Sequence, residues 1–161
     1  MKTEIKGILA KGLSEGYMGR NVRGKVVRAG FNIETSDYQG PEGKYHDEWA
    51  AHQNGGGQEL VESVNGEKAT RVYAGGSLDE EGLKKLGLTG KDVIGKLIFF
   101  VNEFGNKTRL DEDAEITNGE WKYAHTVLKS VKEIPIHISE EIITYKDILV
   151  FIHFHINSPV K

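Results

Sequence analysis

Two kinds of hydrophobic spacing alternate along this chain. Near the N-terminus Ile5, Ile8 and Leu9 recur at helical intervals behind Thr3, a residue type that caps helices. The spacing predicts a short amphipathic helix, weakened by Gly7 and ended near Gly12 or Gly16. Residues 17–30 are rich in Gly and Arg and suggest a loop carrying a short strand at Val26-Val27. From Lys44 the period shortens to two, and strands are expected over 44–52, 58–65 and 68–74. The separators are "QNGGG" and "NGE". Asn65-Gly66 is a strong hairpin signal because both residues tolerate positive φ. Gly55, Gly56 and Gly57, lying between two strand-like runs, are expected to build a turn.

The period then lengthens again. Ser77 with Glu80 offers a capping box ahead of Leu83 and Leu86, and Gly87 closes that helix. "TGKD" opens a second one, with Val93, Leu97, Phe100 and Phe104 on one face. Its run "KLIFFV" would also suit a buried strand, but the helical spacing persists from 93 to 104, which favours helix. "NKTRLDEDAEITNGE" reads as a polar connection, followed by strands at 121–131, 134–138, 141–145 and 148–156. No internal repeat or long linker stands out, so residues 1–161 are expected to form a single domain. Hairpin-rich blocks around a helical centre predict an α+β fold: a curved antiparallel sheet with two or three helices packed on one side.

Alternation also sorts side chains by face. Tyr45, Asp47 and Trp49 share one side of their strand, as do Glu59 and Val61, and Arg71 and Tyr73. A first loop centred on Gly55 sets residue 49 against 61 and residue 51 against 59. A three-residue connection, Asn65-Gly66-Glu67, sets 71 against 61 and 73 against 59, whereas a two-residue turn would move Arg71 and Tyr73 to the other side. The three-residue case is preferred because it gathers Leu60, Val64, Val72 and Ala74 on an opposite, apolar face. It leaves Tyr45, Asp47, Trp49, Glu59, Arg71 and Tyr73 together as a ligand-binding surface, with aromatic walls and a few fixed polar groups. The bland account of that surface is a structural ion pair and aromatic packing beneath a helix.

Composition narrows the functional classes. The formal charge of −3 gives no reason to expect nucleic acid, which calls for a clustered basic surface. With no cysteine, disulfides, thiolate metal sites and cysteine nucleophiles are excluded. The opening residues lack a signal-peptide apolar stretch, and "LIFFV" and "ILVFI" are too short to span a bilayer. The expectation is a cytoplasmic protein with no membrane partner.

Several short motifs resemble a family of small, uncharacterised bacterial domains, sometimes attached to helix-turn-helix regulators. They are Asp37-Tyr38, then Gly43-Lys44-Tyr45 with Asp47 and Trp49 as Y-x-D-x-aromatic, then Gly57-Gln58-Glu59-Leu60-Val61 as G-x-E-x-V. Asn65-Gly66 and Tyr73-Ala74-Gly75 follow, with weaker echoes at Gly119-Glu120-Trp121-Lys122-Tyr123 and Glu140-Glu141-Ile142. "KATRVYAGG" stands where that family has a Trp-containing aromatic segment, and "HFHIN" where it has a glycine pair. The resemblance implies a shared α+β fold and supplies no activity.

Histidines offer metal chemistry. His153 and His155 lie two apart, pointing away from Val150, Ile152, Phe154 and Ile156, and an H-x-H pair on a strand can supply two ligands. His125, His137 or Glu141 would supply a third; without one, the pair is polar packing on the half-exposed side of a sheet. His46, Glu48 and His52 share a strand face that reads as solvated, and the H-E-x-x-H zinc spacing is absent. Asp47 with Glu59 is the carboxylate pair for acid–base work, while no P-loop, G-x-S-x-G, kinase or dinucleotide motif occurs. Three readings remain. The first is a binding or sensing module for a small polar or aromatic ligand. The second is a hydrolase-like or metal-dependent enzyme, and the third a protein-interaction module.

Overall fold

A computed structural model describes residues 3–17, 23–50, 53–104 and 111–161. Helix α1 (Thr3–Lys11) runs into a π-helical turn (Gly12–Tyr17). Five strands follow, β1 (Arg23–Arg28), β2 (Phe31–Gly40), β3 (Gly43–Ala50), β4 (Asn54–Ser63) and β5 (Lys68–Ser77). Helices α2 (Glu80–Lys85) and α3 (Gly90–Phe104) lead to β6 (Ala114–Asn118), β7 (Trp121–Val131), β8 (Ile136–Tyr145) and β9 (Ile148–Val160). The nine strands form one antiparallel sheet in the order β1-β2-β3-β4-β5-β9-β8-β7-β6. It consists of two meanders, β1–β5 and β6–β9, joined where β5 pairs with β9. No helix among the described residues is long and apolar enough to cross a membrane.

One face of this sheet is covered by helices and forms the core. Ile5, Ile8 and Leu9 of α1 pack on Tyr38, Tyr45, Val61 and Ala69 of the first meander. Val93, Leu97, Phe100 and Val101 of α3 pack with Leu83 of α2 on Trp121, Tyr123, Ile143 and Phe151 of the second. The α3 stripe is thus helical as its spacing implies, with Val101 joining it and Phe104 at its edge. Gly12 permits close seating of the N-terminal turn, since a Cβ there would lie 2.2 Å from the Tyr45 ring.

Several local expectations are corrected. Asp79, not Ser77, caps α2: its carboxylate accepts from the Gly82 amide at 2.7 Å, while Ser77 still belongs to β5. The polar connection contains β6, and the stretches 134–138 and 141–145 merge into the single strand β8. Strand β2, for which the hydrophobic pattern gave no signal, turns into β1 through Ala29 and Gly30, both at positive φ. The triple glycine is not a turn. Gly55, Gly56 and Gly57 lie within β4, where they pair with Gly75, Ala74 and Tyr73. Gly57 gives space to its neighbour, because a Cβ there would stand 2.5 Å from the Tyr73 hydroxyl and 2.4 Å from the Glu48 carbonyl.

The registers also move. Trp49 faces Gly57, and Asp47 faces Glu59, where 49 against 61 was expected. Arg71 faces Glu59 and Tyr73 faces Gly57, displaced by two from the expected 71 against 61. The second connection does have three residues, but they are Val64, Asn65 and Gly66, with the Ser63 amide donating to the Glu67 carbonyl at 2.8 Å. Each register moves by an even number of positions, so the expected face-sharing survives.

The larger correction concerns which face is inside. Leu60, Val64 and Val72 lie on the outer face and are exposed, whereas Tyr45, Asp47, Trp49, Glu59 and Arg71 are buried beneath the helices. The same holds in β9, where Phe154 and Ile156 are 44% and 43% exposed while His155 and Asn157 are fully buried. Apolar content alone misassigns the inner face because α1 and α3 cover the row that carries the charges. The helices pack apolar clusters at the two ends of that row, while its charged groups are bonded by Arg71, Tyr45 and Tyr73.

Candidate functional site

Between the two apolar clusters runs a buried polar belt. One row crosses six strands through directly opposed residues: Ser36, Asp47, Glu59, Arg71, Asn157 and His137. Beside it lie Trp49, Gly57, Tyr73, His155 and Ser139. A third row sets Gly75, His153, Glu141 and His125 side by side. Desolvated carboxylates and imidazoles are costly unless bonded, so the members of such a belt need partners within it.

Glu59 is the best-anchored member. Arg71 engages it through both arms of its guanidinium, Nε to Oε2 and Nη2 to Oε1, the latter at 2.6 Å. Tyr45 Oη also donates to Oε1, at 2.8 Å. Burial, then the charges of Glu59 and Asp47, push the Tyr45 phenol well above its ordinary pKa and keep it a donor. Asp47, directly across from Glu59, accepts from Tyr73 Oη at 3.1 Å. The six expected residues thus share the inner face, with Tyr45, Glu59 and Arg71 bonded in one set and Asp47 with Tyr73 in another.

Its open side is a cavity of about 400 Å³. Trp49, Tyr73 and Phe151 supply aromatic wall, Leu83 and Leu97 close it from the helices, and Gly55, Gly56, Gly75 and Gly76 keep part of the lining free of side chains. Its ionisable lining is Glu34, Asp47, Glu59, Glu80 and His153; among the described residues that line it there is no Lys or Arg. Glycines in β4 and β5 thus open the space that Trp49 and Tyr73 border.

The H-x-H pair is less exposed than expected: His155 is inaccessible, and His153 is partly buried, its side chain keeping 15% of its surface. Of the three residues named as a third ligand, Glu141 is the one that comes into reach. Its Oε2 lies 3.8 Å from His153 Nδ1 and 4.0 Å from His155 Nε2. His125 sits next to Glu141 across the β7–β8 pair, with Nδ1 bonded to the Glu112 carbonyl at 2.9 Å. His137 stands apart, 2.9 Å from Ser130 Oγ. Tyr123, which the sequence did not single out, donates from Oη to Glu141 Oε1 at 2.7 Å. The signal that would have found it is Tyr123-x-His125, which repeats the spacing of Tyr45-x-Asp47. His46 points outward between Asp37 and Glu48, at 2.7 and 3.2 Å; His52 lies outside the described residues.

Fold and site define an antiparallel-sheet protein whose helix-covered face carries a polar, cavity-lining belt. Comparison with protein-family models, with characterised proteins and with solved structures found no match to this chain.

Proposed function

We propose that the chain is a small-molecule binding or sensing module whose ligand occupies the cavity beside Trp49 and Tyr73. The carrying observation is the lining. A volume of about 400 Å³ falls within the range of small-ligand sites, and aromatic walls meet a few fixed polar groups. Carboxylates, with no Lys or Arg among the described lining residues, favour a ligand that brings positive charge or hydrogen-bond donors, and disfavour an anion. An ammonium group beside Trp49 or Tyr73 would gain further from the ring faces. Asp47, which lines the cavity and accepts from Tyr73, is the carboxylate we assign to meet it.

A thermal-shift panel of small organic amines against size-matched carboxylates tests this reading, since a ligand selective for the folded state raises apparent stability. Amines should raise the midpoint, and Asp47→Asn should remove the effect. A shift by carboxylates alone, or by neither class, would overturn it. Acid–base catalysis by the Asp47–Glu59 pair is less well supported, because Glu59 is committed to a bidentate guanidinium. One observation favours the interaction-module reading: Val72, Phe154 and Ile156 are exposed on the outer face of β5 and β9. Sedimentation across a concentration series tests self-association through that face, with Phe154→Lys as the variant that should abolish it.

A further inference from the structure

The row that holds Glu141 shows something the cavity reading does not use. Glu141 Oε2, His153 Nδ1 and His155 Nε2 converge so that all three donor atoms lie within 4.8 Å of one another. They come from two neighbouring strands, β8 and β9, with His153 directly opposite Glu141 and His155 two residues on. We propose that Glu141, His153 and His155 form a binding site for a divalent transition-metal ion, zinc or ferrous iron by the chemistry of the donors.

Donor type is the first support. Two imidazoles and one carboxylate suit catalytic zinc and non-haem ferrous sites, both of which keep coordination positions open. Spacing is the second. Charge-assisted hydrogen bonds close to about 2.7–2.9 Å. The carboxylate stands instead at 3.8 and 4.0 Å from the two ring nitrogens. An ion about 2.0–2.2 Å from each ligand brings donors to about 3.0–3.5 Å from one another. The triangle therefore needs only a modest contraction to close around a metal.

Orientation is the third support. Tyr123 holds Oε1 at 2.7 Å, which turns Oε2 toward the two rings, the kind of outer hydrogen bond that orders a metal-binding carboxylate. His153 also lines the cavity, which puts one ligand of the ion at the edge of that space.

Uptake of the ion does not depend on an organic ligand, so this site and the cavity reading can fail separately. Full-length protein stripped with a chelator is titrated with Zn²⁺ by calorimetry and with Co²⁺ by visible absorption, without organic ligand present. One equivalent should bind, with cobalt giving ligand-field bands that zinc displaces. Glu141→Gln and His153→Gln should each abolish stoichiometric uptake while near-ultraviolet circular dichroism stays native. His46→Ala, on the outer face, should bind as wild type does. If Glu141→Gln fails to fold, the less buried His153→Gln decides the matter. Uptake below about a tenth of an equivalent by the folded wild type overturns the site. So does uptake that survives in His153→Gln.

Discussion

Glu59 and Glu141 hold matching places in the two meanders and have different neighbours. Each lies inward on the strand before the junction strand, β4 before β5 and β8 before β9. Each accepts through Oε1 from a tyrosine on the preceding strand, Tyr45 at 2.8 Å and Tyr123 at 2.7 Å. Opposite Glu59 stands Asp47 on one side and Arg71 on the other; opposite Glu141 stand His125 and His153. Tyr73 and His155 complete the two sets, themselves paired across the junction. The difference is the counter-ion. A guanidinium is always charged and matches a carboxylate with two bonds, so the first site is closed on itself. A neutral imidazole offers one donor and one acceptor nitrogen, and in the second site Glu141 Oε2 stands 3.8 and 4.0 Å from the two ring nitrogens.

The sharpest way to break this contrast is to remove the group opposite each carboxylate. Arg71→Met should cost about 3–5 kcal/mol in urea unfolding, because it leaves Glu59 desolvated and without its guanidinium. His153→Gln should cost much less in metal-free buffer. Equal losses would erase the distinction between a closed and an open site.

The tyrosines come next. Tyr45→Phe and Tyr123→Phe each remove a hydrogen bond to a carboxylate, worth about 1.5–3 kcal/mol in unfolding experiments. The Tyr123 change should be the larger, because Arg71 continues to hold Glu59 in the other variant. A reversed order would mean that Arg71 does not secure Glu59 alone.

Gly57→Ala should cost about 1–3 kcal/mol by overpacking. The new methyl meets the Tyr73 hydroxyl and the Glu48 carbonyl, and it should loosen the Tyr73–Asp47 bond. Tyr73 fluorescence and the denaturation midpoint would both report it. Wild-type stability in Gly57→Ala would show that the glycine is not needed for space.

His46 provides the smallest effect and an outer-face control. Burial opposes its protonation, but hydrogen bonds to Asp37 and then Glu48 raise its pKa above the ordinary 6.5. A raised folded pKa means that its stabilisation is complete below about 6.5 and is lost as pH rises through the higher folded value. Solvent screening should hold the amount to roughly 0.5 kcal/mol. The difference between wild type and His46→Ala, measured from pH 5 to 9, should fade upward; a difference growing with pH would reverse the assignment.

Much of the pattern was legible because strand alternation is local. Trp121–Val131 is a strand over the expected span, and Val93 through Phe104 form a helix. The face shared by Tyr45, Asp47, Trp49, Glu59, Arg71 and Tyr73 follows from parity alone, which even-numbered register shifts preserve. Absolute register does not, because it depends on turn geometry, and the glycines that look like a turn are strand. Nor does alternation say which face is covered. That depends on where α1 and α3 dock, a long-range matter that made Leu60 and Val72 look like core. Glu141 was named among three options for His153 and His155; choosing it required the β8–β9 register.

The β5–β9 junction has a consequence in time. Within each meander, neighbouring strands are linked by short connections and can zip as local hairpins. β5 ends at Ser77 and β9 begins at Ile148, so their pairing must close a loop containing α2, α3 and three strands. Distant pairings of this kind are slow, because chain entropy is lost before the contacts form. The two meanders should therefore gain protection from hydrogen exchange first, and the β5–β9 amides last. Arg71 meets Asn157, and Tyr73 meets His155, only across that seam. The polar belt should then be completed last in folding, and the same seam should be where it first comes apart.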